Sequence, residues 1–237
     1  MKFVTIKDNQ EYVFNENDCI VVVDVLRACS TMYYAANLNN TVYLASSVEE
    51  CKSLSRKYRN SICIGEQNGI VPKEFALNNS PSELVFRQVS GRKLILSTTK
   101  GSKAFYKFKC PNIIVGSLVS AREIAKYITS QGYNTVYFYP CNQRFDRMDE
   151  DYICCKYIQS LITKPNFNFH KKFYEFMGAE NNRFFNESLQ KKFPKIDFYL
   201  STSLNIFDFV LLYSNGKCKK VKDNGRNRKK IFSQNGS

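Results

Sequence analysis

The stretch Cys19–Thr31, C-I-V-V-V-D-V-L-R-A-C-S-T, puts a carboxylate, a guanidinium and two hydroxyls in close succession. Ile20 to Val23 is an unbroken β-branched run, the length of a strand buried on both faces of a parallel sheet. Asp24 falls at the carboxyl end of that strand and Arg27 follows. Ser30 and Thr31 stand at the start of a helix running through Met32 to Leu38. Ligands of open α/β sheets bind beyond the carboxyl ends of strands, and helix starts favour anions. The combination suits a metal-assisted phosphate site. It suits equally a core strand whose Asp24 caps a turn, and these residues alone leave both readings open.

The same residue types recur at other strand ends and helix starts. Glu66 and the Glu150-Asp151 pair are carboxylates in such positions, and Arg27, Lys100 and Arg144 are cations there. Ser80, Thr98, Thr99, Ser102 and Ser117 add hydroxyls, while Gly101 and Gly116 permit close backbone approach to a ligand. Carboxylate oxygens without histidine suit Mg²⁺, which takes one or two carboxylates, waters and phosphate oxygens. Such an ion neutralises phosphate charge and acidifies or orients a water. Taken singly, each residue has an ordinary reading. Thr98 and Thr99 fit a plain strand, Gly101 a turn, Glu150 and Asp151 a helix start, and Arg144 a solvated loop.

Of two other phosphatase chemistries, one fails on the letters and the other fits them poorly. A haloacid-dehalogenase-like enzyme needs a second aspartate two positions after its nucleophile, and Val25 and Leu26 follow Asp24. Cys141 to Arg147 has the C-x5-R spacing of cysteine-dependent phosphatases. The intervening residues contain no glycine, however, and Asp146 would sit beside the bound phosphate.

The elements that position these residues alternate along the chain. Strands are expected at Tyr12–Phe14, Ile20–Val23, Thr41–Ala45, Ser61–Ile64, Lys93–Ser97, Ile113–Val115, Thr135–Tyr139 and Phe207–Tyr213. Helices are expected at Val48–Tyr58, from Lys103, through Ala121 to Ile128, from about Glu150 to Leu161, and at Ser188–Phe193. Ser47 precedes the first of these, and Glu49 and Glu50 stand in its opening turn, where the dipole favours acids. Repeated strand, polar loop and helix read as an α/β fold. It has a mainly parallel sheet with flanking helices in three layers and right-handed crossovers, followed by a smaller C-terminal α+β portion. Residues 1–164 form the main region, 165–216 a continuation completing the fold, and 217–237 a basic, flexible tail.

At 237 residues and 43% hydrophobic content the chain can bury one sizeable core. No apolar run approaches the roughly 20 residues of a membrane span, so no membrane partner is expected. The opening M-K-F-V-T-I-K-D-N-Q has no signal-peptide pattern, and nine cysteines then read as free thiols of a reducing cytoplasm. A single histidine, His170, argues against a Cys/His zinc site. Much of the net charge of +14 gathers after Gly216 among Asn, Gly and Ser, the composition of a solvated tail rather than of a nucleic-acid site.

Taken in order, the blocks resemble the 2-phosphosulfolactate phosphatase family, Mg²⁺-dependent enzymes of coenzyme M and sulfolactate biosynthesis. D-V-L-R-A-C-S-T at Asp24–Thr31 is similar to the family's D-V-L-R-A-T-S-T, and G-E-Q-N-G at Gly65–Gly69 to its G-E-R-G-G. N-N-S-P-S-E at Asn78–Glu83, S-T-T-K-G-S at Ser97–Ser102 and V-G-S at Val115–Ser117 resemble its next three blocks. Arg144, Phe145, Glu150 and Asp151 resemble the last, at slightly longer spacing, and the match fades after Pro165.

The resemblance implies hydrolysis of a phosphate ester on a small sulfonated hydroxy acid, 2-phosphosulfolactate to sulfolactate plus phosphate, in an α/β fold. A small anionic phosphoester is the expected partner, and the chain can assemble as a homo-oligomer. Asp24 and Asp151 would be metal carboxylates, with Glu66 as metal ligand or base, and Arg27 would be catalytic. Ser30, Thr31, Ser80, Thr98, Thr99, Lys100, Gly101, Ser102, Gly116, Ser117 and Arg144 would hold the substrate. Gln67 and Asn68 stand where the family has arginine and glycine, and Lys100 where it has asparagine. The alternative is a diverged, non-catalytic anion-binding protein of the same fold.

Overall fold

The computed structural model describes residues 1–8, 10–143, 149–164, 167–179 and 183–222. The strands are β1 (Lys2–Thr5), β2 (Asp18–Val23), β3 (Thr41–Leu44), β4 (Ser61–Gly65), β5 (Lys93–Ser97), β6 (Ile113–Gly116), β7 (Thr135–Pro140), β8 (Val210–Ser214) and β9 (Lys217–Val221). The α-helices are α1 (Ala28–Asn37), α2 (Val48–Lys57), α3 (Pro81–Phe86), α4 (Gly101–Lys107), α5 (Ala121–Gln131), α6 (Glu150–Thr163), α7 (Phe169–Ala179) and α8 (Lys195–Thr202). Short 3₁₀ turns span Leu118–Ser120, Arg183–Phe185 and Glu187–Leu189. The fold is three-layer α/β. One sheet in the order β1-β7-β2-β6-β8-β9-β3-β5-β4 is flanked by helices, α1 packing with α3 and α8, and α6 with α5 and α7.

β2 is the centre of the first half of the sheet. All six of its residues are buried, as are those of its neighbour β6, which is why both read as unbroken apolar runs. Even Asp18 is enclosed, its carboxylate accepting from the backbone N–H groups of Asn15 at 2.9 Å and Thr135 at 3.1 Å. Local signals act where expected. Ser47 caps α2 by accepting from the Glu50 N–H, and Ser80 does the same for α3, with Pro81 in its first turn.

Two parallel blocks, β1-β7-β2-β6 and β3-β5-β4, are joined by the antiparallel β8–β9 hairpin. Because the hairpin pairs antiparallel to β6 on one side and to β3 on the other, the two blocks run in opposite senses. In a flat sheet the ends of β2 and β5 would lie on opposite rims. Twist of about 20–25° per strand, accumulated over the five steps from β2 to β5, turns the second block by about 100° or more. That curl lets the carboxyl ends of β2, β4 and β5 face one space.

Four sequence expectations are corrected. Tyr12–Phe14 is not a strand; its rings pack edge-on against Tyr137, and β1 takes the edge position beside β7. Ser188–Phe193 forms no α-helix, only the 3₁₀ turn at Glu187–Leu189. The last apolar strand starts at Val210 rather than Phe207. Lys217–Val221 is β9, not the start of a tail. Asn215 and Gly216 both have positive φ, 49° and 76°, the two-residue turn geometry that matches strand twist. Cys218 is buried while Lys217, Lys219 and Lys220 are exposed, so a strand with one apolar contact hid inside a basic run.

Gly65, at the end of β4, has φ +132°, and a Cβ there would lie 1.9 Å from the Ser97 carbonyl oxygen. Gly65→Ala should lower unfolding free energy by at least about 2 kcal/mol in urea titrations. A loss below about 0.5 kcal/mol would show that the β4–β5 contact is not as close as described.

Candidate active site

The chain leaves β2 at Asp24 and turns into α1. One Asp24 oxygen accepts from the Ala28 N–H at 3.1 Å. The other faces Gly101 at the start of α4, where any Cβ would come within 2.3 Å of it. Only glycine lets α4 approach this carboxylate so closely. Asp151, in the first turn of α6, accepts from the Val25 N–H at 2.7 Å and the Asn142 N–H at 3.2 Å. Its carboxylate thereby ties α6 to the exits of β2 and β7. Glu66, just past β4, accepts from the N–H and hydroxyl of Thr99, both at 2.9 Å, and from the Gly69 N–H at 2.5 Å.

Asp24, Glu66 and Asp151 therefore face one cavity of about 410 Å³, together with Glu150, Arg27, Thr99 and Lys100. Burial raises the Asp24 carboxyl, with Glu66 adding to the rise and the Ala28 N–H, Arg183 and Lys100 opposing it. Burial lifts Glu150 to about 7, helped by Asp149 and by Asp24. Asp151 is pushed well above the usual carboxylate range by burial and then by Glu150, Asp24 and Asp149. Several acids share a desolvated space and resist ionising together. Among the described residues no three acidic, histidine or cysteine side chains form a ready-made metal cage. The donor set is nevertheless of hard oxygens, and a cation that keeps waters and ligand oxygens needs only one or two carboxylates. Cys141 also lines the cavity, but burial raises its thiol and disfavours the thiolate.

Arg27 is committed elsewhere. Its Nη1 pairs with Asp197 at 2.5 Å, the two side chains being 3% and 0% exposed, and its Nη2 donates to Asn78 at 3.4 Å. The other Asp197 oxygen accepts from the Ser80 hydroxyl at 3.0 Å and the Ser82 N–H at 2.8 Å.

Of the expected substrate contacts, Thr99 and Lys100 line the cavity. Ser30, Thr31, Ser80, Thr98, Gly101, Ser102, Gly116 and Ser117 do not, and their roles are supporting ones. Thr98 and Ser102 cap each other, each hydroxyl accepting the other's N–H at 2.8 Å, and Ser102 also donates to the Ala45 carbonyl. Ser30 donates to the Val25 carbonyl and shares a 2.9 Å hydrogen bond with Ser117. Thr31 is buried in α1. A Cβ on Gly116 would strike Val21 and Val23 of the neighbouring strand. Local backbone donors occupy the hydroxyls of Ser80, Thr98 and Ser102, whereas the Thr31 hydroxyl meets no partner among the described residues. Arg144 lies outside the described residues.

The sequence reading missed the far wall. Asn79, Arg183, Phe184 and Phe193 line the cavity, and Asp197 anchors it from behind. They come from the loop before α3, from the 3₁₀ turn Arg183–Phe185 and from the stretch Ser188–Phe193 that was expected to be helical. The cue was an isolated Asp197 among apolar residues, too weak to single out. Glu150 was noted as half of an acidic pair, but it faces the cavity beside Asp151.

A family model described as 2-phosphosulpholactate phosphatase matches residues 4–216. The 2-phosphosulfolactate phosphatase of Methanocaldococcus jannaschii is 28% identical over 224 residues, 88% of this chain and 96% of that protein. A "Probable 2-phosphosulfolactate phosphatase" of Synechocystis sp. is 30% identical over 156 residues, 64% of this chain and 65% of the relative, just short of two thirds of its length. One of Thermotoga maritima with the same description is 35% identical over 112 residues, 47% and 48% of the two chains.

Two outcomes follow from the charges. Asp197→Asn leaves the buried Arg27 guanidinium without its counter-ion, and chemical denaturation should show a loss of about 3–5 kcal/mol. Glu150 has a folded value of about 7 against roughly 4.3 in an unfolded chain. Its contribution to stability is present below the unfolded value and is lost as pH rises through 7. Without divalent cations, melting temperature should fall between about pH 4 and 7, and Glu150→Gln should reduce that slope, with Asp24 and Asp151 supplying the rest. An unchanged slope would remove Glu150 as its source.

Proposed function

The chain belongs to the 2-phosphosulpholactate phosphatase family, and from that premise we propose that its acidic cavity hydrolyses a phosphate monoester of a small sulfonated hydroxy acid. The reaction is 2-phosphosulfolactate plus water to sulfolactate plus phosphate, with Mg²⁺ as the cofactor, in a reducing cytoplasm where nine buried thiols stay reduced. The observation that carries the reading is the meeting of Asp24, Glu150 and Asp151 with Lys100 in one small cavity. Buried acids gathered without an equal number of cations favour a divalent ion, and a phosphoryl group completes its oxygen shell. The volume suits a small, highly charged ligand.

Asp24 and Asp151 would hold the cation, since each keeps lone pairs beyond those used by backbone donors. When bound, Mg²⁺ supplies charge neutralisation at the phosphoryl oxygens and a lowered pKa for a coordinated water. The chain's own residues do the rest. Gly101 keeps Asp24 in place by leaving room beside it. Glu66 fixes Thr99 and the turn to Gly69, so that one wall of the cavity is rigid. Lys100, bonded to Asn142 at 3.2 Å, brings a cation to the phosphoryl side. Glu150, poised near neutrality, takes the proton of the attacking water as the new P–O bond forms. It returns a proton to the ester oxygen as the old P–O bond breaks.

The test is phosphate release from 2-phosphosulfolactate with Mg²⁺ and after chelation, in the native protein and in Asp24→Asn. Chelation should abolish turnover, and the variant should lose on the order of 10²-fold or more in kcat while keeping its fold. Equal turnover in the variant removes Asp24 from the site. Binding without turnover would leave the family's anion-binding fold without its chemistry.

A further inference from the structure

Three cations line the cavity among the described residues, and they are not equivalent. Arg27 is neutralised by Asp197. Lys100 stands on the acidic side and donates to Asn142. Arg183, in the 3₁₀ turn Arg183–Phe185, has no carboxylate within ion-pair distance among the described residues. It is exposed, and among the described residues its Nη2 donates to the Leu26 carbonyl at 3.3 Å, which leaves most of its five N–H donors open to solvent or a ligand.

The guanidinium is nevertheless held in place. Its carbon lies 4.6 Å from the ring centroid of Phe193 and 5.5 Å from that of Phe184. Arg27 stacks on the same two rings, at 5.3 and 5.7 Å. Two guanidinium groups thus share one aromatic pair, and among the described residues only Arg27 has a paired carboxylate. Like charges placed this close repel, and an anion beside Arg183 offsets that repulsion. Close by in sequence to the Arg27 partner Asn78, Asn79 lines the same cavity, 5% exposed, with a side-chain oxygen that meets no partner among the described residues. That oxygen is an acceptor, which a water or another donor completes and an anion's oxygens do not.

We propose that Arg183 is the specificity-determining residue of this site, binding the sulfonate of the substrate while Lys100 and the carboxylate side take the phosphoryl group. The assignment takes the phosphatase reading above as its premise. It restricts the substrate class to phosphoesters that carry a sulfonate besides the carboxylate of the hydroxy acid. A planar guanidinium with a free fork binds two oxygens of a sulfonate at once, and aromatic stacking sets its plane in advance.

The experiment compares wild type, Arg183→Gln and Arg183→Lys on 2-phosphosulfolactate and on 2-phospholactate, which lacks the sulfonate. Arg183→Gln should raise KM for 2-phosphosulfolactate roughly 10- to 100-fold with little change in kcat, and alter kcat/KM for 2-phospholactate less than about twofold. Arg183→Lys, keeping charge without the fork, should fall between. Equal losses on both substrates, or none on either, would overturn the assignment. Calorimetry with sulfolactate and with lactate gives a readout independent of turnover. Sulfolactate should bind wild type at least about tenfold tighter than Arg183→Gln, and lactate should not distinguish them. If wild type hydrolyses neither ester yet shows that binding difference, the catalytic reading fails and the Arg183 assignment stands. If wild type binds no sulfolactate, the assignment falls whatever the kinetics.

Discussion

The buried ion pair between Arg27 and Asp197 joins parts of the chain that nothing local would bring together. Arg27 leaves the central strand β2, Asp197 opens α8, and the second Asp197 oxygen collects Ser80 and Ser82 at the start of α3. Desolvating two charges is expensive, and apolar residues of equal volume serve net stability as well. What apolar packing would not do is fix the positions of three segments with polar geometry. With both carboxylate oxygens and the guanidinium engaged, the loop carrying Asn79 and the segment carrying Phe184 and Phe193 close over the end of β2 as one wall. The cavity exists because that wall is anchored behind its surface.

A second constraint comes from topology. The β8–β9 hairpin reverses the sense of the second parallel block, and twist then brings the ends of β4 and β5 back toward the end of β2. The acidic side of the site depends on that closure. Gly101 and Gly65 are the points where it is tightest, one against the Asp24 carboxylate and the other against the Ser97 carbonyl. Glycine at these two positions reflects close approach of elements distant in sequence rather than flexibility.

The parallel strands were legible because each is a short apolar run closed by polar residues, and Lys93–Ser97 has the same bounds in sequence and structure. Ser47 and the acidic first turns of α2 and α6 marked helix starts through capping and dipole chemistry that act within a few residues. Asp24, Glu66 and Asp151 could be read because carboxylates at strand ends have a limited set of uses. The hydroxyls could not be sorted in this way. Whether Thr99 faces a ligand or Thr98 faces Ser102 depends on one residue of phase at the end of β5, which sequence pattern does not resolve. The far wall was illegible for a different reason. Arg183, Phe184, Phe193 and Asp197 acquire meaning only through Arg27, more than a hundred residues earlier, and no local periodicity marks them.

The resulting cavity gathers acids and cations around one space, Arg183 favouring the ionised forms of both Asp24 and Glu150. Carboxylates of Asp24, Glu150 and Asp151 gather where β2 ends and α6 begins, while two guanidinium groups are held on aromatic rings. Left free, a long arginine side chain beside buried acids would fold onto them, and the site would neutralise itself. Arg27 is prevented by Asp197. Arg183 is restrained by stacking on Phe193 and by the Leu26 carbonyl, contacts that orient a cation without cancelling its charge. Acids able to share a divalent cation, and a cation with no carboxylate paired to it among the described residues, are complementary to a ligand that carries a phosphoryl group and a sulfonate on a short scaffold. A ligand with only one of these groups would use one part of the site and leave the other unsatisfied, and that difference is the physical basis on which such a site can discriminate.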